Sequence, residues 1–274
     1  YRHSERTAIF VGDLIDRGPE INEVLTIAQG MVTAGTAVVV MGNHEFNALA
    51  YNTPDPEQPG EFLRPHSKGN NDQYEQTLGQ VKDVDSMLAF FYSMPLWLDL
   101  PELRVVHACW DPDAINHLEN RLEQRRLDHE SLVAASRKDT EMYHAIETTL
   151  KGKEYSLGDI TFADEGGKTR NQARVRWYLP YKGQSIAEYS FQVGVKLPES
   201  PFDKPPSEQG YHAEEKPVFF GHYWLPAKRP ELQADNVCCL DYSVARGGHL
   251  CAYRFNADEP TLSNENYVWV GGKQ

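Results

Sequence analysis

Four short apolar runs of strand-forming residues end abruptly, and each is followed at once by a polar side chain of the kind that binds metal ions. The four polar residues are Asp13, Asn43, His107 and His222. In open α/β sheets, binding sites form outside the carboxyl ends of the strands, so residues that are far apart in sequence can meet there. The pattern therefore predicts an α/β protein in which several strand ends supply one polar site.

The first two apolar runs flank a helical pattern. The runs cover residues 7–11 and 37–41, and between them apolar residues recur from Ile21 to Met31 at the spacing of one helix face. Pro19 lies near the start of this segment, where helices tolerate proline, and Gly35 follows it as a helix stop. A strand, a helix and a strand in this order predict two parallel strands joined by a right-handed crossover in a buried sheet.

The rest of the chain continues the alternation of helices and strands. The predicted segments are a long polar loop over 52–72, a helix over 84–92, a strand over 104–106, helices within 112–150, a mixed region over 151–215, and strands over 217–220, 237–240 and 249–255. Gly247 and Gly248 are predicted to join the last two strands. A loop as long as the first is often functional in a compact domain. The chain shows no internal repeat and no clean linker, so we expect one domain over residues 1–274.

The composition excludes some broad classes of function. The chain of 274 residues carries a formal net charge of −13, whereas general binders of the nucleic-acid backbone are usually basic. No apolar run reaches membrane-spanning length, and no signal peptide is visible. The four cysteines form no CxxC pair, which favours reduced thiols in a cytoplasmic protein. We therefore expect no membrane association and no general nucleic-acid binding.

The residue types at the four strand ends suit a hydrolytic metal centre. Carboxylate, amide oxygen and imidazole ligands fit Mn, Fe, Zn or Mg. Two metal ions about 3.5–4 Å apart, bridged by a carboxylate, can hold both oxygens of an in-line displacement at phosphorus, with a bridging hydroxide as the nucleophile. The reaction also needs a cation on the phosphate and an acid for the leaving group. Arg17 and His44 lie beside the ligands in the sequence and suit these two roles.

Two sequence motifs point to a family that combines these features. Residues 12–18 read GDLIDRG and residues 42–45 read GNHE, while His107 and the pair Gly221-His222 each follow a strand. These residues resemble the calcineurin-like metallophosphoesterase superfamily, on the branch of phosphoprotein phosphatases and symmetrical diadenosine tetraphosphatases, in a bacterial subgroup of it. The resemblance extends from residue 7 to about residue 256. It implies an α/β fold in which two mixed β-sheets form a four-layer sandwich with flanking α-helices.

The resemblance also implies a ligand set for two divalent metal ions, of which Mn²⁺ is the expected one and Fe, Zn and Mg the alternatives. Asp13 would bridge the two ions. The second ion would be bound by Asn43, His107 and His222. In the family, an Asp-x-His motif at the end of the first strand supplies most ligands of the first ion. We expect this motif to precede Gly12 in a segment outside the sequence; otherwise, the protein lacks a normal first metal site.

Further roles concern the phosphate and the leaving group. His44, paired with Asp16, would protonate or stabilise the leaving oxygen. Arg17 and Asn43 would bind the phosphate. A second phosphate-binding arginine is usual in the phosphoprotein phosphatase branch. Its candidates here, in the segment ARVRWY, are Arg176 and its rival Arg174.

One position separates the branches of this superfamily. Many members carry a second histidine two positions after the one that corresponds to His222, whereas this chain carries Trp224. Phosphoprotein phosphatases do not rely on that second histidine. Trp224 therefore favours their branch over a diesterase-type site.

Together these features favour metal-dependent hydrolysis of phosphate esters by an enzyme similar to serine/threonine protein phosphatases. A hydrolase of dinucleoside polyphosphates, such as diadenosine tetraphosphate, is the alternative enzyme. A non-catalytic binding module that lacks the first metal site is the alternative from another class. An open groove would suit a phosphoprotein substrate, and a deep pocket with base-stacking aromatic residues would suit a dinucleotide. In either enzyme the expected partner is a phosphorylated substrate.

Overall fold

The computed structural model of the protein describes residues 3–163, 169–191, 197–204, 206, 209–226 and 228–271. The chain divides into two compact units. The first unit comprises Tyr1–Asp99 and Val105–Lys151, and the second comprises Leu100–Arg104 and Gly152–Gln274. The organisation of residues 1–274 as a single domain stays a prediction. Among the described residues, no helix combines the length and the apolar character that a membrane span requires.

The first unit alternates strands with helices. Its strands are β1 (Ala8–Phe10), β2 (Ala37–Val39), β3 (Trp97–Asp99) and β4 (Arg104–Val106), the last of which begins with a residue of the second unit. Its helices are α1 (Ile21–Thr33), α2 (Asn43–Asn52), α3 (Lys68–Leu78), α4 (Val84–Tyr92), α5 (Pro112–Glu119), α6 (His129–Ala135) and α7 (Glu141–Lys151), with a 3-10 turn at Glu123–Arg125.

The predicted strand, helix and strand at the start of the chain are confirmed. β1 and β2 pair in parallel, with Ala8 opposite Ala37 and Phe10 opposite Val39. Helix α1 joins them and packs on β2. It buries one face, consisting of Ile21, Leu25, Ala28 and Met31, which is the periodicity seen in the sequence. The prediction of a buried sheet holds better for β2 than for β1, whose three residues are half-buried.

Two sequence predictions about connections are wrong in detail. The loop predicted over 52–72 ends earlier, because α3 begins at Lys68; this helix buries only Tyr74 and Thr77, so it has almost no apolar periodicity to recognise. The strands predicted over 237–240 and 249–255 are not joined to each other by the glycine pair at 247–248. Gly247 and Gly248 lie instead between the strand Asp241–Tyr242 and the strand His249–Tyr253.

The second unit is mostly built from short strands. Its strands are β5 (Glu154–Ser156), β6 (Phe162–Ala163), β7 (Thr169–Arg170), β8 (Gln172–Arg174), β9 (Val218–Phe220), β10 (Val237–Cys239), β11 (Asp241–Tyr242), β12 (His249–Tyr253) and β13 (Tyr267–Gly271). The unit also contains helix α8 (Ile186–Tyr189) and 3-10 turns at Val244–Arg246 and Asn264–Asn266. β9 and β10 pair in parallel, whereas β5–β8, β6–β7 and β11–β12–β13 are antiparallel.

Apolar side chains from the mixed region over 151–215 form a core of their own within the second unit. The cluster consists of Leu157, Ala173, Val175, Tyr181, Ile186, Ala187, Tyr189, Leu197 and Phe202. Its tyrosine and phenylalanine rings meet edge to face, for example Tyr181 against Tyr189 with centroids 5.1 Å apart. The region that looked irregular in the sequence is therefore organised around aromatic packing.

A buried ion pair fixes the loop over 53–67 to the helices of the first unit. Both side-chain amino groups of Arg137 donate to the carboxylate of Asp55, each at 2.7 Å, and the Asp55 side chain is only 3% exposed. Arg137 also lies 3.3 Å from Glu57. The paired guanidinium holds the pKa of Asp55 well below its usual range, because it favours the ionised carboxylate.

We predict that the Asp55→Asn substitution lowers the melting temperature at pH 7 by several degrees, because it leaves the charge of Arg137 without its partner. Because the pKa of Asp55 is lower in the folded than in the unfolded state, its contribution is complete above the unfolded value of about 3.9 and declines as the pH falls further. Thermal unfolding of both proteins between pH 7 and pH 3 measures this. A difference that stays constant down to pH 3 would contradict the assignment.

Candidate metal and phosphate site

The carboxyl ends of β1 and β2 bring the two sequence motifs together. The N–H of Val40 donates to the carbonyl of Phe10 at 3.0 Å, which continues the strand pairing to the edge of the site. A Cβ atom on Gly12 would lie 2.5 Å from the nitrogen of Gly42, and one on Gly42 would lie 2.3 Å from Asp13 Oδ1. Both positions therefore require glycine, and the close approach of the two loops explains the glycine that opens each motif.

A fully buried carboxylate, Glu45, binds both motif loops. It accepts N–H groups from Gly42 at 2.8 Å, from Asp13 at 2.9 Å and from Leu14 at 2.7 Å. Burial raises the pKa of Glu45, and the negative charge of Asp13 adds to this effect. Glu45 belongs to the GNHE motif, but the motif alone does not indicate its role. Its place three residues after the helix-capping position Gly42 is the signal that indicates this contact.

Three of the predicted ligands converge within the first unit. The Nε2 atom of His107 lies 3.2 Å from Asn43 Oδ1 and 3.4 Å from Asp13 Oδ1. Asn43 is the first residue of α2, and Asp13 Oδ1 also accepts the N–H of His44 at 3.2 Å, so the carboxylate lies at the positive end of this helix. The side chain of Asp13 is a quarter exposed, whereas His107 is 1% exposed.

The contacts of His107 give a donor set that fits a cation. The Nδ1–H of His107 donates to the carbonyl of Val11 at 2.6 Å, which directs Nε2 at the oxygens of Asp13 and Asn43. Burial lowers the pKa of His107, but Asp13, the carbonyl of Val11 and Glu45 together outweigh it and raise the pKa to about 9. Nε2 thus faces two oxygen atoms. A divalent ion with oxygen and imidazole ligands would be bound by these three atoms, with His107 deprotonated at Nε2.

Beside this cluster lies a second one, which contains the predicted acid and the predicted phosphate ligand. The Nδ1 atom of His44 lies 2.5 Å from Asp16 Oδ2, and Arg17 Nη1–H donates to His44 Nε2 at 3.2 Å. Burial lowers the pKa of His44, but Asp13 and Asp16 together raise it above the usual value. The structure therefore brings His44, Asp16 and Arg17 together, and Arg17 is the exposed member of the three.

Helix α3 supplies two partners of Asp16 that the sequence analysis missed. The hydroxyl of Thr77 donates to Asp16 Oδ1 at 2.6 Å and accepts the Asp16 N–H at 3.1 Å. Gln73 Nε2 donates to Asp16 Oδ2 at 3.2 Å and lies 3.3 Å from His44 Nδ1. No motif in the sequence marks these residues. Their spacing of four on one helix face becomes meaningful only once α3 is placed beside the loop.

The GDLIDRG loop has an unusual backbone. Asp13, Asp16 and Arg17 have φ values of 58°, 65° and 60°, in the left-handed region. Aspartate tolerates this region better than most residues, whereas arginine rarely adopts it. Such local strain is stored where surrounding contacts fix the loop, and here those contacts are with Glu45, Thr77 and the Gly42 turn.

The predicted ligand His222 lies in the second unit. It follows β9 through Gly221, is half-buried, and has a φ of 75°. Two residues later, the N–H of Trp224 donates to Asp241 Oδ2 at 3.0 Å, and the guanidinium of Arg246 lies 4.1 Å from the centroid of the Trp224 ring. Trp224 therefore has a packing role next to His222, with Asp241 as a structural partner of the turn.

The two candidate arginines also lie in the second unit. Arg174 is on β8, directly opposite Glu154 of β5, and its Nε atom lies 3.3 Å from that carboxylate. Arg176 follows the strand, is half-buried, and donates its backbone N–H to the carbonyl of Tyr189 at 2.8 Å. Because Arg174 is committed to an ion pair, Arg176 is the better candidate. The roles of Arg176 and His222 stay predictions.

Comparison with known proteins gives a family for the first half of the chain. Residues 2–138, which are 137 of the 274 residues, match the family described as calcineurin-like phosphoesterase. This range includes Asp13, Asn43, His44 and His107. No curated protein matches the chain.

Several solved structures share only distant similarity with the chain. A presumed diadenosine tetraphosphatase is 15% identical with a TM-score of 0.43, over 97% of this chain and 81% of the other. A serine/threonine protein phosphatase of Saccharomyces cerevisiae is 12% identical with a TM-score of 0.46, over 100% and 72%. A cold-active protein-tyrosine phosphatase of a Shewanella species is 16% identical with a TM-score of 0.36, over 89% and 62%. Similarity at this level identifies no substrate.

The family match therefore carries the assignment, and it agrees with the two motifs and with the fold class predicted from the sequence. Members of this family hydrolyse phosphate esters with the help of divalent metal ions. The chain belongs to the calcineurin-like phosphoesterase family: it is a metal-binding phosphoester hydrolase with the family's α/β fold of mixed sheets and helices.

Proposed function

We propose that this phosphoesterase is a dinuclear metal hydrolase of phosphate monoesters, similar to serine/threonine protein phosphatases. The observation that supports it most is the convergence of Asp13, Asn43 and His107, with His107 Nε2 within 3.4 Å of both oxygens. Because the neighbouring cluster of His44, Asp16 and Arg17 contains an acid and a cation, the first unit holds most of the groups that this reaction needs.

The proposed metal ligands are Asp13 as the bridge, with Asn43, His107 and His222 on the second ion. Two bound divalent ions, with Mn²⁺ as the expected one, would neutralise the phosphate and activate water for attack at phosphorus. His107 contributes a fixed orientation, because its Nδ1–H is held by the carbonyl of Val11. Asp13 contributes negative charge at a point where the N-terminus of α2 already partly compensates it.

The second cluster, which consists of His44, Asp16 and Arg17, is proposed to bind the substrate phosphate and to protonate the leaving oxygen. Arg17 is exposed and is fixed in direction by its contact with His44, and a guanidinium in this position is suited to bind a phosphate. Arg176 is the proposed second phosphate ligand. With Nδ1–H held by Asp16, a His44 that is also protonated on Nε2 would donate this second proton to the leaving oxygen, and the contact of Nε2 with Arg17 would be broken in that state. Thr77 and Gln73 hold the aspartate in place for this step.

The proposed substrate class is phosphoserine or phosphothreonine in proteins. Its support is Trp224, which occupies the position of the second histidine of diesterase-type members and packs under Arg246. A dinucleoside polyphosphate is the competing substrate. Comparing phosphopeptides with diadenosine tetraphosphate as substrates separates the two.

We predict that the full-length protein hydrolyses p-nitrophenyl phosphate, that EDTA abolishes the activity, and that Mn²⁺ restores it. Asp13→Asn should lower kcat on the order of 100-fold or more, because it removes the charge that bridges the ions. Asp113→Asn is the matched control, since Asp113 is exposed on α5 away from the motifs. If the metal-loaded protein does not turn over p-nitrophenyl phosphate, the proposal of a phosphate monoesterase is contradicted.

A separate prediction concerns the ligand from the second unit. His222→Asn should weaken the binding of one Mn²⁺ ion at least about 10-fold, because removing a direct ligand affects affinity no less than removing an outer partner does. The measurement is equilibrium dialysis with metal analysis, alongside His212→Asn, which changes an exposed histidine of the same unit. Unchanged Mn²⁺ binding by the His222 variant would remove this residue from the ligand set.

A further inference from the structure

The loop over 53–67 holds an arginine, Arg64, in a defined position. The backbone N–H of Arg64 donates to the carbonyl of Ala50 at 3.0 Å, which ties the loop back to α2. The nearby His66 ring stacks between Tyr51 and Phe62, with centroids 3.9 and 4.1 Å apart. Because both the backbone and the aromatic stack anchor this segment, the position of Arg64 is set by the fold.

The side chain of Arg64 leads directly to the His44–Asp16 pair. Arg64 Nη1–H donates to Asn47 Oδ1 at 2.9 Å, and Nη2–H donates to Gln73 Oε1 at 3.4 Å. The same Gln73 donates through Nε2 to Asp16 Oδ2 at 3.2 Å. A single amide group therefore separates the guanidinium of Arg64 from the acid that the proposed reaction uses.

The half-buried guanidinium of Arg64 has no carboxylate partner among the described residues. Its contacts are two neutral amides, and among the described residues it forms no ion pair with a carboxylate. Burial lowers the pKa of Arg64, while Asp16 and Glu147 favour its charge at longer range. Arg137, in the same unit, is instead neutralised by the bidentate pair with Asp55. A half-buried guanidinium with N–H groups to spare favours binding of an anion.

We infer that Arg64 is a specificity-determining residue that binds a second phosphate group of the substrate, next to the phosphate ester held by Arg17. This role rests on the proposed function, because the first phosphate defines where the second one lies. The second phosphate can come from a polyphosphate chain or from a neighbouring residue of a multiply phosphorylated peptide. Asn47 and Gln73 keep the guanidinium in place without neutralising it, which leaves its charge for the ligand.

The test is calorimetric binding to the Mn²⁺-loaded full-length protein at fixed free Mn²⁺. One arm compares inorganic phosphate with methylenediphosphonate, and the other compares a peptide that carries one phosphonate analogue of phosphoserine with a peptide that carries two; none of these probes can be hydrolysed. The wild type should bind the probe with two phosphate or phosphonate groups about 10-fold or more tightly than the probe with one, in at least one arm. Arg64→Gln should remove most of that preference. The arm that responds identifies the source of the second phosphate.

Two further variants keep the result interpretable. Arg126→Gln removes an exposed arginine of the same unit and should retain the preference, whereas Arg64→Lys should retain part of it, because the charge remains. No preference in the wild type, or an equal preference in the wild type and Arg64→Gln, would overturn the role of Arg64. Because binding is measured without turnover, a lack of phosphatase activity would count against the proposed function alone.

Discussion

The site depends on the carboxylate of Glu45, which has no access to solvent and accepts three backbone N–H groups. Two of these belong to the loop after β1 and one to the turn before α2. Removing the carboxylate would leave buried N–H groups without acceptors, which is expensive, so both loops are held at one separation. That separation leaves no room for a Cβ atom on Gly12 or Gly42, and it determines where Asp13 and Asn43 stand.

The same arrangement concentrates negative charge in a small volume. Asp13 and Asp16 lie in the loop after β1, and Glu45 lies in the first turn of α2, which contacts that loop. The resulting negative field raises the pKa of His44 and of His107 despite their burial. Cations stabilise such a group of carboxylates, and here Arg17 and the proposed metal ions would do so. Substrate phosphate is then attracted to the cations and not to the carboxylates, which explains why an acidic protein can bind an anionic substrate.

Much of this could be predicted from sequence because the motifs are local. GDLIDRG and GNHE each follow a recognisable strand, and the parallel pairing of β1 with β2 was predictable from the helix between them. Gln73, Thr77 and Arg64 could not be found in the same way. They lie on a polar helix and a long loop without periodicity, and their function depends on contacts made across more than 25 residues of chain, as between Gln73 and His44. Arg176 and His222 are supported by sequence resemblance.

The most direct test of the account is the location of Mn²⁺ in crystals of the full-length protein, by anomalous diffraction. The account predicts a manganese peak in contact with an Asp13 oxygen, Asn43 Oδ1 and His107 Nε2, with a second peak on the other side of Asp13. In that structure, His107 Nδ1–H should still donate to the carbonyl of Val11. Manganese bound away from Asp13 and His107, or no ordered ion at saturating Mn²⁺, would contradict the central claim that these motif loops build the metal site.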